Sequence, residues 1–438
     1  MSVVFALATP PAKSAICIFR VSGPGCLSKI PELVGSPLEK NKKFYLRPVK
    51  NKSGDVVDRV GIVSFGGPDS YTGEDSFEVY AHGGLGVMAM LVDVFKSLGF
   101  DEAPPGEFTK RAFLNNKISL AEAEAVVDLI DSHDQDGVVL SSNTLSGDFT
   151  EKVLGFSGVI NDLRVRVEGE IDFSDEGESF FDSSLPNELS LLVENFKLFV
   201  GGCLNKKNHS AKNKVMFVGP VNSGKSSVFN RLLGFERALV SEKPGTTRDL
   251  VESEIFYNET SFSISDTAGL RETDDIVESK GMRFALEHLN NVDLVIGVFD
   301  SDEESILDGF SELSKEKKYL KVYNKTDLGH VVERGVFDCM VSAKTGEGFD
   351  SLKRLISEAF KSDISGDYMY LVRDRHIGLF QSSINHLENA LLKLGEGGGL
   401  ELIAEDLRLA RNDLNEIIGV KMSDSLLGDI FSSFCIGK

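Results

Sequence analysis

The sequence has no tryptophan and only five cysteines, which form no CxxC pair and cannot all pair with one another. A small, odd set of dispersed cysteines argues against a disulfide framework and predicts a reduced, cytoplasmic protein. No uncharged apolar run approaches the ~20 residues that span a bilayer. The first twelve residues place no basic residue ahead of their short apolar stretch, so we expect neither a secretory signal nor a transit peptide. The cysteines are Cys17, Cys26, Cys203, Cys339 and Cys435.

Positive charge is also scarce, since 47 Lys and Arg face 68 Asp and Glu for a net charge of −21. Residues 121–210 are the most acidic block, and their pattern is typical of a solvated helical surface. A protein this acidic does not bind nucleic acid by general neutralisation of phosphates. Any contact with RNA is therefore expected to be local, or to be supplied by a partner.

Length and patterning predict about three domains, one of them split in sequence. Residues 1–117 carry short strand-like runs at 16–21 and 60–65 between turn-rich breaks, which indicates a small α+β domain. Residues 211–361 alternate β-rich runs with loops and helical segments, as in a doubly wound parallel sheet. Residues 118–210 and 362–438 have helical periodicity. We therefore expect an α/β domain inserted into an all-α helical domain, preceded by the small α+β domain.

The helical signal begins at a capping box, in which Ser119 and Glu122 satisfy amides of the first turn. Apolar residues then recur at steps of three and four from position 145 to position 171, which predicts one long amphipathic helix. The same spacing returns between positions 403 and 417. The glycine-rich segment 395–399 is predicted to connect two helices.

The chemistry is concentrated in four motifs of the α/β segment. The first, Gly219-Pro-Val-Asn-Ser-Gly-Lys225-Ser226, fits the P-loop pattern GxxxxGK[ST] directly after a predicted strand. Its glycines let backbone amides face phosphates, and the following helix N-terminus adds positive potential. Lys225 is expected to reach the β- and γ-phosphates, and Ser226 is expected to bind magnesium.

Of the other three motifs, one serves magnesium and the γ-phosphate, and two specify guanine rather than adenine. Asp266-Thr-Ala-Gly269 can hold magnesium through water and sense the γ-phosphate. The aspartate of Asn324-Lys-Thr-Asp327 can accept both the ring N–H and the exocyclic amine of guanine, a pair that adenine does not offer. Ser342-Ala-Lys344 can supply a backbone amide to the guanine oxygen. An α/β domain that carries these loops by chance is the alternative, and their order and spacing make it improbable.

These motifs resemble the translation-factor class of GTPases, and further segments narrow the resemblance. Lys243-Pro-Gly-Thr-Thr-Arg-Asp249 resembles the switch loop of the TrmE/MnmE and Era-like group. The chain end, Phe434-Cys-Ile-Gly-Lys438, resembles the C-terminal signature of the MnmE/TrmE family of tRNA uridine-modification GTPases. Segments 8–11, 71–75, 82–84 and 105–117 are similar to the same family. The resemblance therefore covers essentially the whole chain in the same domain order.

The resemblance implies a GTP site built from the P-loop, the switch loop, the DxxG segment and the two guanine-reading loops. The residues that match it are Asn222, Ser223, Gly224, Lys225, Ser226, Ser227, Ser241, Glu242, Lys243, Pro244, Gly245, Thr246, Thr247, Asp266, Thr267, Ala268, Gly269, Asn324, Lys325, Asp327, Ser342, Ala343 and Lys344.

The resemblance also implies two metal ions. Magnesium is expected at Ser226 and Thr247, and potassium, in place of an arginine finger, at Asn222, Ser241, Lys243 and Thr246. Ser241 and Lys243 stand where the family pattern has threonine and an aliphatic residue. Backbone carbonyls supply those two ligands, so the changes need not matter, although a lysine beside a cation is mildly unfavourable.

The catalytic residues differ from those of a Ras-like protein, because Leu270 stands where glutamine would orient the attacking water. Glu278 matches the family's catalytic acid, which acts through a water, and Lys225 supports the phosphates. Cys435 matches a position near the folate and the modified base, where a chemical role and a structural thiol are both open. A prenylation signal at Cys435 is disfavoured by the Ile-Gly-Lys ending.

Members of the family are homodimers joined through an N-terminal domain that binds 5-formyl- or 5,10-methylene-tetrahydrofolate. Arg20, Glu78, Lys117 and Lys438 match the folate-contacting positions. A glutamate can pair with the amidine-like edge of the pterin, and lysines can meet the glutamyl carboxylates. Taken alone, each of these residues would more often be a surface ion pair.

The sequence thus predicts a potassium-activated GTPase that installs a carboxymethylaminomethyl or aminomethyl group at C5 of the wobble uridine of certain tRNAs. A tetrahydrofolate would supply the one-carbon unit, and an MnmG/GidA-type flavoprotein would complete a heterotetramer. The alternative is a regulatory GTPase of ribosome assembly, like Era or Der, without modifying activity. No basic segment or KH-type context follows residue 361, which disfavours the alternative.

Overall fold

The computed structural model divides the chain into two units. One unit comprises Met1–Asp131, Val139–Asn205 and Tyr368–Lys438, and the other comprises Ser132–Val138 and Lys206–Asp367. The predicted domain boundaries at 117, 210 and 361 stay predictions. The structure describes residues 2–38, 42–132, 134–173, 184–206, 213–220, 222–235, 252–257, 260–265, 292–301, 317–329, 335–360, 368–420, 424–434 and 436–437.

The first unit begins with a six-stranded sheet in the order β3-β4-β5-β2-β1-β6, antiparallel except between β1 and β6. The predicted strands at 16–21 and 60–65 are confirmed within β2 and β4. The strands are β1 (Val4–Leu7), β2 (Ile16–Ser22), β3 (Tyr45–Lys50), β4 (Val56–Phe65), β5 (Ser76–His82) and β6 (Asp101–Glu102). The helices of this part are α1 (Ile30–Val34), α2 (Leu85–Ser97) and α3 (Glu107–Leu114).

One face of this sheet forms a core and the opposite face carries polar residues. Phe19 on β2 and Val79 on β5 are fully buried and pack with Phe95 of α2. Because side chains alternate along a strand, Arg20 and Glu78 lie on the other face, where they are directly paired across β2 and β5. The sheet therefore presents a charged pair on the face away from α2.

The rest of the first unit is a helical bundle around Phe149, Phe196, Phe380, Leu407 and Leu414. Two short strands pair in parallel at its edge: β7, which follows α7, and β14, which precedes α10. The elements are α4 (Leu120–Ile130), α5 (Gln135–Leu145, in this unit from Val139 on), α6 (Asp148–Phe173), α7 (Leu185–Gly201), β7 (Cys203–Asn205), β14 (Tyr370–Val372), α10 (Asp374–Gly395), α11 (Leu400–Ile418) and α12 (Asp424–Ser432).

The capping box at Ser119 and Glu122 is confirmed, with both reciprocal bonds present. The predicted long helix is confirmed as α6, but its predicted start at position 145 was wrong. Leu145 ends α5, and α6 begins only at Asp148. Gly147 between them has φ +95°, a left-handed conformation that stops a helix, so the apolar spacing continues across a break that the periodicity does not register.

The second unit contains a six-stranded sheet in the order β13-β12-β11-β8-β10-β9, parallel except between β9 and β10. The β-rich runs of the sequence at 214–218, 261–265, 292–299 and 320–323 predict four strands, which are confirmed to within two residues at each end. The described elements are β8 (Lys214–Val218), α8 (Lys225–Phe235), β9 (Glu252–Tyr257), β10 (Thr260–Ser265), β11 (Leu294–Phe299), β12 (Lys318–Tyr323), β13 (Cys339–Met340) and α9 (Phe349–Phe360). Among the residues described in either unit, no helix is both long and apolar enough to cross a membrane.

A buried ion network ties α4 to the start of α10. The Glu124 carboxylate lies 2.8 Å from Nε2 of His376 and 2.9 Å from Nη2 of Arg375, and Asp128 lies 2.7 Å from Nη2 of Arg373. Burial alone would raise the pKa of Glu124, but His376 and the two arginines outweigh it and lower that pKa to about 2. The charged form of Glu124 therefore stabilises this unit.

Glu124→Gln should lower the free energy of unfolding of the first unit by about 3 kcal/mol near neutral pH, because it leaves the buried cations without their anion. The pKa of Glu124 in the folded state lies below its usual value of 4.5. The stabilisation is therefore lost as the pH falls from 4.5 towards about 2. Urea unfolding followed by helical circular dichroism at pH 7 and pH 3 measures both effects. The exposed Glu194→Gln serves as control, and a deficit that is equal at the two pH values would contradict the assignment.

Candidate functional site

The P-loop connects β8 to α8 through backbone conformations that its sequence requires. Gly219 has φ +144°, and a Cβ there would lie 2.1 Å from the carbonyl oxygen of Val298. Asn222 also has positive φ, at 64°. The loop therefore approaches β11 at a distance that only glycine permits, and α8 starts immediately after it with its amides directed at the loop.

Lys225, the first residue of α8, directs its ammonium back onto the P-loop. Its Nζ donates to the carbonyl oxygens of Gly219 at 2.9 Å and Pro220 at 2.7 Å. Ser226 and Ser227 follow on the exposed first turn of α8, and Ser223 is fully buried. The positive charge is thus already centred in the loop that is predicted to take the phosphates.

Asn324 connects the P-loop to the loop at 342–344, which is predicted to contact guanine. Its Nδ2 donates to the carbonyl oxygen of Ser223 at 2.9 Å, and its Oδ1 accepts from the amide of Ala343 at 3.1 Å. A Cβ on Gly224, which has φ +92°, would lie 2.1 Å from Nδ2 of Asn324. The structure therefore brings three of the predicted motifs into contact through one buried side chain.

Asp327 is held by the neighbouring loop. Its Oδ1 accepts from Oγ of Ser342 at 2.7 Å, and Nζ of Lys344 lies 3.9 Å from its Oδ2. Lys325 pairs instead with Asp300, at 2.6 Å. The carboxylate of Asp327 is thereby oriented as an acceptor, the role for which the sequence singled it out.

The remaining predicted nucleotide and metal residues lie outside the described residues. In the switch loop these are Ser241, Glu242, Lys243, Pro244, Gly245, Thr246 and Thr247; in and after the DxxG segment they are Asp266, Thr267, Ala268, Gly269 and Glu278. At the C-terminus, Cys435 and Lys438 are likewise outside. Their predicted roles stay predictions.

In the first unit, Arg20 and Glu78, which were each predicted to contact folate, form an ion pair with each other. Nε of Arg20 donates to Oε1 of Glu78 at 3.0 Å, and both side chains are about one-fifth exposed. The guanidinium lies 5.5 Å from the ring centroid of Tyr71 and 5.7 Å from that of Phe108. Nη1 of Arg20 also donates to the carbonyl oxygen of Gly437, 3.4 Å away, so the end of the chain meets this pair.

Lys117 and Arg20 both contact the loop after β4. Nζ of Lys117 donates to the carbonyl oxygen of Pro68 at 3.1 Å, while Arg20 meets Tyr71 of the same loop. A buried network fixes that loop, because Arg111 pairs with Glu74 at 2.9 Å. Two of the four predicted folate residues, Arg20 and Lys117, therefore contact one loop, and Glu78 is bonded to Arg20.

Tyr80 belongs to this site and was missed by the sequence reasoning. Its hydroxyl donates to Oε2 of Glu78 at 2.7 Å, so both oxygens of that carboxylate are bonded. Burial, reinforced by Glu78, raises the pKa of Tyr80 to about 12, which keeps the hydroxyl a donor at any physiological pH. The available signal was its position two residues after Glu78, which places both side chains on one face of β5.

Sequence profiles of one protein family match both units of the chain. A family profile for the MnmE helical domain matches residues 120–435, and a profile described as the GTP-binding protein TrmE N-terminus matches residues 3–117.

Curated relatives from several bacteria bear the name tRNA modification GTPase MnmE. That of Nitrosococcus oceani is 38% identical over 99% of this chain and 97% of its own length. Those of Dichelobacter nodosus and Thermosipho melanesiensis are 35% and 36% identical, each over 99% of both chains. Because one profile spans most of the chain and these relatives match nearly its full length, the chain belongs to the MnmE family of tRNA modification GTPases.

Proposed function

We propose that this chain is a potassium-activated GTPase that, with a flavoprotein partner, installs a carboxymethylaminomethyl or aminomethyl group at C5 of the wobble uridine of certain tRNAs. The proposal rests on the contacts of Asn324 in a member of a tRNA modification family. Asn324 bonds to Ser223 in the P-loop and to Ala343, and the neighbouring Ser342 orients Asp327. Guanine nucleotide would bind with its phosphates in the loop 219–226 and its base against Asp327 and the backbone of Ala343 and Lys344.

Hydrolysis would rely on charges brought to the phosphates rather than on a Ras-type glutamine, because Leu270 cannot orient water. Lys225 would leave its loop carbonyls for the β- and γ-phosphate oxygens, and Glu278 would position the attacking water. Magnesium at Ser226 and Thr247, and potassium at Asn222, Ser241, Lys243 and Thr246, would supply positive charge where it develops. The exposed, positive-φ Asn222 at the loop is suited to offer one oxygen to a large cation.

The one-carbon unit would come from 5-formyl- or 5,10-methylene-tetrahydrofolate bound to the first unit. The Glu78 carboxylate, oriented by Arg20, fits the N–H edge of the pterin, and Lys117 and Lys438 fit the glutamyl carboxylates of the folate. Because Arg20 donates to the carbonyl oxygen of Gly437, the C-terminal segment would bring Cys435 towards the proposed folate site. When bound, the folate supplies a carbon at the oxidation level of formate or formaldehyde.

The partners would be a second copy of the chain, an MnmG/GidA-type flavoprotein that completes a heterotetramer, and tRNA. The net charge of −21 supports leaving most RNA contacts to the partner. A cytoplasmic location follows from the substrate. A ribosome-assembly GTPase is not favoured, since the full-length relatives carry the tRNA-modification name.

Asp327→Asn should weaken GTP binding and shift preference towards xanthosine nucleotides, because it leaves guanine donors unpaired at about 1–3 kcal/mol per group. Titration with GDP, XDP and ADP measures the change, with Asp350→Asn on α9 as the matched control. Equal affinity of the unmodified protein for GDP and ADP would refute guanine recognition.

Arg20→Ala and Glu78→Ala should each weaken tetrahydrofolate binding by about 10-fold or more, since each removes a charge-assisted bond. Affinity for GDP should stay unchanged, because the two sites lie in different units. Calorimetric titration of both ligands tests this, with Arg47→Ala on β3 of the same sheet as control. Parallel loss of GDP binding would mean that the pair serves folding instead.

GTP hydrolysis should be about 10²-fold faster in potassium than in sodium at equal ionic strength, the scale on which one preorganised electrostatic group acts. Asn222→Ala should reduce that difference while magnesium-dependent GTP binding through Ser226 persists. Steady-state phosphate release in the two salts measures the effect. Identical rates for the unmodified protein would eliminate the cation mechanism.

A further inference from the structure

Arg231 lies on α8, in the second turn after Lys225, and contacts the loop that follows β13. Its Nη1 donates to the carbonyl oxygen of Lys344 at 3.3 Å, and its Nη2 donates to that of Thr345 at 3.0 Å. A planar guanidinium can serve two adjacent acceptors at once, which an ammonium cannot do with the same geometry. The phosphate-binding helix thus contacts the guanine-reading loop directly.

The two peptide groups that Arg231 binds are also held from their nitrogen side. The amide of Thr345 donates to Oγ of Ser342 at 3.1 Å, and the amide of Gly346 donates to the carbonyl oxygen of Ser342 at 2.8 Å. Because a peptide group is planar, a bond at its oxygen also fixes the direction of its N–H. Arg231 therefore determines where both N–H groups meet Ser342.

Ser342 passes this constraint to Asp327. Its Oγ accepts from Thr345 and donates to Oδ1 of Asp327 at 2.7 Å, so a shift of the Thr345 amide would move the hydroxyl that orients the carboxylate. On the other side of the loop, the amide of Ala343 is fixed by Asn324. A continuous series of hydrogen bonds leads from Arg231 through Ser342 to the carboxylate that reads guanine.

We infer that Arg231 is a positioning residue for guanine recognition, which sets the orientation of Asp327 through the Lys344–Thr345 peptide and Ser342. The inference rests on the proposed GTP site. A purely structural Arg231 would stabilise the unit without affecting which base is preferred. The two roles differ in one observable, the preference for GDP over IDP, because inosine lacks the exocyclic amine that Asp327 accepts.

The test measures the affinity of the full chain for GDP and IDP in the unmodified protein, Arg231→Ala, Arg231→Lys and the control Arg354→Ala. Arg231→Ala should weaken GDP binding about 10-fold, the effect of losing hydrogen bonds from a charged group, and IDP binding by clearly less. Arg231→Lys should restore part of the GDP preference, since one ammonium can still reach one carbonyl. Arg354, exposed on α9 and paired with Glu358, should change neither value.

A double-mutant cycle with Ser342→Ala tests the path. If Arg231 acts through Ser342, Arg231→Ala should lose most of its effect on the GDP preference in the Ser342→Ala background. Equal weakening of GDP and IDP by Arg231→Ala, full additivity with Ser342→Ala, or no change at all would each overturn the inference. If the unmodified protein does not prefer GDP over IDP, the proposed GTP site fails; if it does and Arg231→Ala is silent, only this inference fails.

Discussion

Asn324 is the contact on which the nucleotide-binding unit depends. Its side chain is almost fully buried and is bonded at both ends, to Ser223 in the P-loop and to Ala343 in the base-reading loop. A buried amide cannot move without losing both bonds, and each unpaired group would then cost about 1–3 kcal/mol. Gly224 is a glycine for the same reason, since any side chain there would meet Asn324. One residue thus fixes the phosphate end of the site relative to its base end.

In the first unit, too, a side chain is bonded at more than one atom, but there the side chains are charged. Both oxygens of Glu78 are bonded, one to Arg20 and the other to Tyr80, and Arg20 rests against two aromatic rings. Deeper in this unit, Glu124 holds the start of α10 against α4. The pair at Glu78 is partly exposed and therefore accessible to a ligand, whereas the network at Glu124 is buried and serves the fold. Burial, rather than composition, separates the two kinds of ion pair.

The sequence predicted the parallel sheet, its strands and the P-loop because these depend on local patterns: a short apolar run, a glycine at a positive φ, a lysine at fixed spacing. It identified Arg20 and Glu78 as folate residues only through a resemblance, and it did not predict that they pair, since β2 and β5 are more than fifty residues apart and no local rule specifies their pairing. Tyr80 and Arg231 were missed because their roles come from tertiary contacts with groups that carry no motif. The break at Gly147 was missed because apolar spacing continued across it, and periodicity cannot detect a single left-handed residue.

The central claim is that guanine-nucleotide binding in this chain serves the modification of tRNA. Mass spectrometry of wobble uridines from cells that lack the chain, and from the same cells supplied with it, tests this most directly. The account predicts loss of the C5 aminomethyl-type group on a subset of tRNAs and its return when the chain is restored. Unchanged wobble uridines in cells lacking the chain would contradict it.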